Sequence, residues 1–364
     1  MASALSPLVD RIRQSAAAGT PLRIRGGGSK DFFGQPDAAH EVLSTQTLTG
    51  VVSYEPSELV VTVRAGTPLA QLEALLAENG QCLPFEPPHY AEGSTVGGMV
   101  AAGLSGPARA SVGAVRDFVL GLQMVNGRGE ALVFGGQVMK NVAGYDVSRL
   151  MAGAWGSLGL ITEVSLKVLP VAPAEATLRF EMDQASALER LNAWGGQPLP
   201  LNASAWVDDA GVPCLYLRLR GAVAAVESAC RKLGGERLPD VAGDWTASRD
   251  LRLPWFQERG DRDLWRLSVP QTAPVLDLPD VPYVEWHGAQ RWVRATPGEG
   301  RALREAARAV GGSATLFMAG GANDTSRAPR LDPLAPPLDR IHRALKREFD
   351  PAGIFNPGRL HPDL

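Results

Sequence analysis

"RIRGGGSKDFFG", residues 23–34, carries three consecutive glycines behind a short β-branched, arginine-flanked run. Glycine loses more conformational freedom on folding than any other residue. A triplet is therefore retained for a slack surface turn or for close approach of the backbone to another group. After a strand, such a triplet lets several N–H groups converge on one point and form an anion-binding concavity. Ser29 adds a hydroxyl, and a pyrophosphate is the natural guest. The segment is neither a G-x-G-x-x-G fingerprint, whose spacing and following helix are absent, nor a P-loop, because no correctly spaced G-K-[ST] follows.

Glycine is concentrated further along. Fifteen of the 40 glycines fall between Gly93 and Gly159, more than a third in under a fifth of the chain. In "GSTVGGMVAAGLSGPARASVGAVRD" (93–117), glycines alternate with Ala, Ser and Thr. Small residues at this density allow the backbone to lie flat against a rigid planar or phosphate-bearing object, or helices to pack tightly. In "GGQVMKNVAGYDVSRLMAGAWGSLGLIT" (135–162), Lys140 is a candidate for a phosphate or a developing negative charge, or a surface lysine. Asp146 is a candidate N-cap for "VSRLMAG".

Around these loops the elements are short. "MASALSPLVDRIRQSAAAGTP" places Leu5, Leu8, Val9 and Ile12 at helical spacing and lacks the apolar core of a signal peptide. "GVVSYEP" and "ELVVTVRAG" read as neighbouring strands. "TPLAQLEALLAENG" reads as a helix on Leu69, Leu72, Leu75 and Leu76, with Pro68 near its start and Gly80 as C-cap. "DFVLGLQMVNGRGEALVFGG" reads as a hairpin turning at Asn126-Gly127, and "GLITEVSLKVLP" as a strand stopped by Pro170. Past about residue 172 strands and helices alternate as in an α+β layer with an antiparallel sheet. The expected organisation is a domain over 1–171, a cap over 172–334 and a C-terminal segment, 335–364, returning to the first domain.

Composition narrows the function classes. The chain has 364 residues, a formal net charge of −3 and 21% charged residues, with no polyanion-binding footprint. No run approaches the roughly 20 apolar residues of a membrane span. Cys82, Cys214 and Cys230 share no short spacing and no histidine neighbour, so neither an iron–sulfur centre nor a structural zinc site is encoded. Scattered free cysteines suit a reducing cytoplasm.

The stretches "IRGGGSKDFFG", "STVGGMVAAGLSGPARASVGAVRDFVLG", "NGRGEALVFGGQVMKNVAGYDVSRLMAG", "GSLGLITEVSLKVLP" and "FDPAGIFNPGRL", in this order, resemble the vanillyl-alcohol-oxidase or PCMH-type FAD-binding family. Within it they resemble the FAD-binding E subunits of bacterial glycolate oxidases. The resemblance covers roughly 22–170 and 335–361. It implies an α+β fold: a PCMH-type two-subdomain FAD-binding domain plus a smaller α+β cap with an antiparallel sheet. It implies that Gly26, Gly27, Gly28 and Ser29, flanked by Arg25 and Lys30, hold the FAD pyrophosphate. Gly93, Ser94, Thr95, Gly97 and Gly98 would line the cofactor's second side, continued by Gly103, Ser105, Gly106 and Gly113. Gly159 and Ile161 would meet the adenosine end, and Asn356 and Arg359 would lie nearer the flavin. Arg359 stands where relatives often carry lysine, which keeps the charge and changes the geometry.

Two departures from the family pattern bear on function. No histidine adjoins Gly26–Ser29 and no cysteine lies in 93–117, so FAD is expected to be non-covalent, with no metal. Related D-2-hydroxyacid dehydrogenases carry a histidine-rich site in the cap. Here His287 is the sole cap histidine, and no catalytic constellation is legible. The expected role is an FAD-binding subunit of a glycolate-oxidising complex, glycolate to glyoxylate. It would relay electrons to partner subunits D, a flavoprotein, and F, an iron–sulfur protein. The complex implies a cytoplasmic chain, peripheral to the inner membrane. Two alternatives stay open. One is a self-sufficient 2-hydroxy-acid dehydrogenase using cap arginines (Arg218, Arg220, Arg252, Arg291, Arg294), most of them expected to be solvated. The other is a non-enzymatic scaffold. Trp206, Trp255 and Trp292 are candidates for a partner surface or for core.

Overall fold

The computed structural model describes residues 2–35, 40–136, 145–321 and 329–364, and divides into two compact units. The first comprises 1–104, 114–170 and 333–364; the second comprises 105–113 and 171–332. The segment 105–113, expected in the first domain, belongs to the second unit.

In the first unit, strands β1 (Leu22–Arg25) and β2 (Glu41–Ser44) form a parallel pair. A five-stranded antiparallel sheet is built from β3 (Val51–Glu55), β4 (Val60–Arg64), β6 (Val119–Val125), β7 (Ala131–Gly135) and β8 (Leu160–Lys167), in the order β3-β4-β8-β6-β7. Strands β5 (Gln81–Cys82) and β9 (Leu169–Pro170) make a short antiparallel pair. β8 lies at the sheet's centre and is buried on both faces over nearly its whole length, which explains its near-continuous apolar and small-residue reading. Val61, Val63, Val164 and Leu166 close a core with Leu69, Leu72 and Leu76 of helix Leu69–Glu78. Asn79 ends that helix, and Gly80 follows in the left-handed region at φ +63°.

The N-terminal helix, Ala2–Ala18, buries Ile12 fully and packs Leu5, Leu8 and Val9 against Leu22, Leu160 and Phe355. The β6–β7 hairpin departs from the expected Asn-Gly turn. Its loop is five residues long, and Val125 pairs with Ala131. The Asn126 Oδ1 accepts from the N–H of Arg128 and of Glu130, both at 3.0 Å, and Gly129 takes the left-handed position. The asparagine side chain organises the turn, and the Gly127 N–H is spent on the Phe349 carbonyl at 2.8 Å.

The second unit is a single eight-stranded antiparallel sheet. Its strands are β10 (Ala174–Glu181), β11 (Leu201–Asp209), β12 (Val212–Gly221), β13 (Glu236–Leu238), β14 (Asp263–Ser268), β15 (Tyr283–Glu285), β16 (Gln290–Ala295) and β17 (Ser313–Met318). The order is β13-β10-β12-β11-β15-β16-β14-β17. Helices Gln184–Gly195 and Val223–Leu233 pack on the β10–β12 half, and Gly300–Ala309 packs on the β14–β17 half. Among the described residues no helix is long and apolar enough to cross a membrane.

Candidate functional site

The end of β1 leads directly into the glycine triplet. Gly28 is left-handed at φ +77°, a conformation that a Cβ would strain. The turn is fixed from outside by Asp31, whose carboxylate pairs with Arg23 at 3.0 Å and accepts from Arg25 Nε at 2.7 Å. Inside the turn, among the described residues, no protein acceptor takes the backbone N–H of Gly26, Gly27, Gly28 or Ser29. Four successive main-chain donors thus face a narrow cleft without a partner of their own.

The opposite wall comes from residues 93–102. Ser94 Oγ donates to Ser29 Oγ at 2.9 Å. Thr95 N-caps the helix Val96–Ala102, its Oγ1 accepting from the Gly98 N–H at 3.2 Å. The glycines here answer a different need from the one expected. A Cβ on Gly27 would overlap the Gly93 carbonyl, and one on Gly97 would sit 2.5 Å from Ala65 Cβ. A Cβ on Gly103 would sit 2.9 Å from the Gly153 backbone. These glycines let the chain's own segments cross at backbone contact. The cleft they enclose is lined by Ala65, Ala101, Ala102, Gly97 and Gly98 on one side.

The C-terminal segment closes the floor. The Leu22 N–H donates to the Ile354 carbonyl at 2.7 Å, and the Asn356 N–H donates to Leu22 at 2.9 Å. The Asn356 Oδ1 accepts from the Ile24 N–H at 2.8 Å, while its Nδ2 donates to the Trp155 carbonyl at 2.6 Å. Arg359 lies over the Trp155 ring at 5.3 Å and donates to the Lys30 carbonyl at 3.3 Å. Phe33 stacks on Trp155 with ring centres 4.2 Å apart. Beneath, the Lys346 ammonium pairs with buried Asp350 at 2.8 Å and donates to the Ser157 and Phe355 carbonyls. Burial pulls the lysine's pKa down, with Asp350 opposing the shift.

The cleft therefore brings together Arg25, Gly26, Gly27, Gly28, Ser29, Lys30, Thr95, Gly97, Gly98, Gly159, Ile161 and Arg359. Gly93 and Ser94 back it from behind. Asn356 does not line it; its carboxamide is consumed in tying Ile24 to Trp155. Gly103 caps the helix and packs on Gly153. Ser105, Gly106 and Gly113 lie in the second unit, where the Gly106 carbonyl accepts from Trp286 Nε1 at 3.0 Å. Asp146 N-caps the helix Val147–Met151 through its contact with the Arg149 N–H at 3.1 Å. Lys140 lies outside the described residues. Sequence reading missed Trp155, Gly156, Thr45 and Asp31 as lining. The one local signal was Trp155-Gly156 inside the third glycine series.

The donor chemistry fits a dinucleotide's diphosphate: unpartnered amides, a hydroxyl, Lys30 and Arg359 around walls of glycine and alanine. The enclosed part of the cleft, about 80 Å³, matches a diphosphate-sized portion rather than a whole cofactor, because complete ligand pockets run to roughly 300–1,000 Å³. The lining contains no histidine or cysteine.

The second unit's polar residues are committed to one another. His287, left-handed at φ +55°, meets Ser111 Oγ at 3.0 Å through Nε2 and Ser204 Oγ at 3.1 Å through Nδ1. Burial lowers its pKa to about 4, so it is neutral at physiological pH. The cap arginines are not the solvated residues expected. Arg218 is buried on Asn202 and Trp245, and Arg291 is fully buried on the carbonyls of Pro274 and Ala273. Arg220 pairs with Glu175, Arg252 with Asp250 and Arg294 with Asp280. Trp206 and Trp292 are core, at 5% and 3% exposure.

Residues 5–135 match the model of the FAD binding domain family. The chain is 45% identical to the glycolate oxidase subunit GlcE of Escherichia coli K12, covering 98% of this chain and 97% of that protein. It is 31% identical to glycolate oxidase subunit GlcD of Bacillus subtilis over 43% of this chain and 34% of that protein. Among solved structures, alkyldihydroxyacetonephosphate synthase shares the fold, with a TM-score of 0.65 at 16% identity over 96% of this chain and 74% of the synthase. With near-complete coverage at that identity, the chain belongs to the family of the glycolate oxidase subunit GlcE, FAD-binding flavoprotein oxidoreductases.

Proposed function

We propose that this chain is the FAD-carrying E subunit of a glycolate oxidase complex, which converts glycolate to glyoxylate and passes two electrons onward. The carrying observation is the row of four unpartnered main-chain donors, Gly26 to Ser29, in a cleft of glycine and alanine. When bound, FAD supplies the redox chemistry. The Gly26–Ser29 amides and Lys30 would hold its diphosphate. Thr95, Gly97 and Gly98 would flank it, Gly159 and Ile161 would adjoin the adenosine portion, and Arg359 would carry a fixed positive charge beside Trp155. Attachment is non-covalent, because no nucleophilic side chain lines the cleft.

Within the complex this subunit acts as an electron-relaying partner, with substrate oxidation in the D subunit and onward transfer through the iron–sulfur F subunit. The state of the second unit supports this reading. His287 is neutral and held through both ring nitrogens, and the five cap arginines are occupied by partners within the chain. A substrate carboxylate clamp would have to break existing ion pairs.

The test is an anaerobic absorption spectrum of the purified chain with glycolate, alone and with the D subunit. Flavin bands that persist alone and bleach when D is added are the expected result. Bleaching by glycolate alone would assign substrate oxidation to this chain. A colourless protein that takes up no added FAD would overturn the cofactor assignment.

A further inference from the structure

The second unit holds a cavity of about 840 Å³, within the range of ligand pockets and remote in the chain from the glycine loops. Its floor is the aromatic and hydroxyl surface of Trp245, Tyr283 and Ser248. Below the floor the buried Glu285 carboxylate accepts from Ser248 Oγ at 3.1 Å and from Trp292 Nε1 at 2.7 Å. The floor hydroxyls thus rest on an anion.

The charges around the opening are one-sided. Asp280 is neutralised by Arg262 and Arg294 at 2.8 and 2.9 Å. The other four lining carboxylates, Asp208, Asp209, Asp244 and Glu258, have no cationic partner among the described residues. Asp208 accepts only from the Gly211 N–H and Asp209 from the Tyr216 hydroxyl, both neutral donors. Half-buried Trp255 forms a wall whose ring already carries the Arg294 guanidinium at 4.6 Å. A cation over an indole face is attracted by the ring quadrupole, and uncompensated carboxylates add Coulomb attraction. Among the described residues no three potential ligands stand close enough to hold a metal ion. The volume and aromatic walls suit an organic cation.

We infer that this cavity is a binding site for a guanidinium or ammonium group on an alkyl chain, held by Asp244, Glu258 and Asp209 against the aromatic walls. The cation can be a free small molecule or the side chain of a protein segment. Both present the same group to the same carboxylates.

The test is isothermal titration calorimetry on the full-length, flavin-loaded chain at low salt, with three probes. These are a blocked tripeptide with central arginine, the same peptide with citrulline, and methylguanidinium. Citrulline keeps the shape of arginine and removes the charge. The arginine peptide is expected to bind saturably and at least about tenfold more tightly than the citrulline peptide, with affinity falling as salt rises. The double variant Asp244→Asn/Glu258→Gln is expected to lose about tenfold or more. Both positions are exposed, so circular dichroism should match the parent. Binding of methylguanidinium as well points to a free cation; binding of the peptide alone points to a protein side chain. No saturable binding by either cation, equal binding of the citrulline peptide, or full affinity in the double variant would overturn the site.

Discussion

Asn356 joins two segments that are far apart in the chain. Its carboxamide accepts from the Ile24 N–H at 2.8 Å and donates to the Trp155 carbonyl at 2.6 Å, from a left-handed backbone at φ +43°. One side chain thereby sets the distance between the strand that feeds the glycine triplet and the ring on which Arg359 lies. Asparagine suits both demands, since it tolerates the left-handed region and offers a donor and an acceptor in one plane.

Asn356→Asp keeps the size and removes the donor, leaving a carboxylate against the Trp155 carbonyl. A buried group losing its partner costs about 1–3 kcal/mol. The variant should melt lower and bind FAD about tenfold or more weakly. Differential scanning fluorimetry with and without added FAD checks both; parent-like melting and affinity would remove the positioning role.

Gly27→Ala should separate folding from cofactor retention. The new methyl overlaps the Gly93 carbonyl, so the 26–29 turn must shift off the 93–95 wall while the sheet core is untouched. The expected product is folded by circular dichroism and depleted in flavin at least about tenfold. Full flavin occupancy in this variant would show that the two backbones need not touch.

Lys346→Met should be the most destabilising single change here. It leaves Asp350, 1% exposed, without its cation. It also leaves the Ser157 and Phe355 carbonyls without their donor. Removing one partner of a buried pair costs about 3–5 kcal/mol. A urea midpoint within error of the parent would contradict the buried pair.

His287 should give the second unit an acid-side weakness. Its pKa is about 4 in the folded chain against an ordinary 6.5. The unfolded chain therefore binds the proton more readily, and stability falls as pH drops from about 6.5 through about 4. His287→Asn keeps a residue that tolerates the left-handed backbone and removes the titration. Urea midpoints at pH 7, 5.5 and 4.5 should fall more steeply for the parent than for the variant; parallel slopes would assign the acid sensitivity elsewhere.

Much of the architecture was legible because its causes are local. Leu69, Leu72 and Leu76 at helical spacing marked one helix, and the apolar run of β8 marked a buried strand. β14 was not legible. It begins at Asp263, buried at 3% and spent on the Gly320 N–H at 2.8 Å, and an acid there reads as loop. The β6–β7 turn was misread because Asn126-Gly127 suggests a two-residue hairpin, whereas the Asn126 side chain organises a longer one.

From the chain alone came the class of chemistry: a glycine triplet after a strand, with a serine behind it, implies main-chain donors for an anion, since only glycine permits that backbone. The tertiary structure decided which glycines serve a ligand and which serve the protein. Gly27, Gly97 and Gly103 are held by backbone crossings with Gly93, Ala65 and Gly153, contacts between segments up to 66 residues apart. It also moved Ser105, Gly106 and Gly113 into the second unit, turned Asn356 into a clamp, and gathered four unpaired carboxylates around one cavity. Sequence spacing encodes conformation along one segment. Which donors remain unspent depends on what every other segment has already taken.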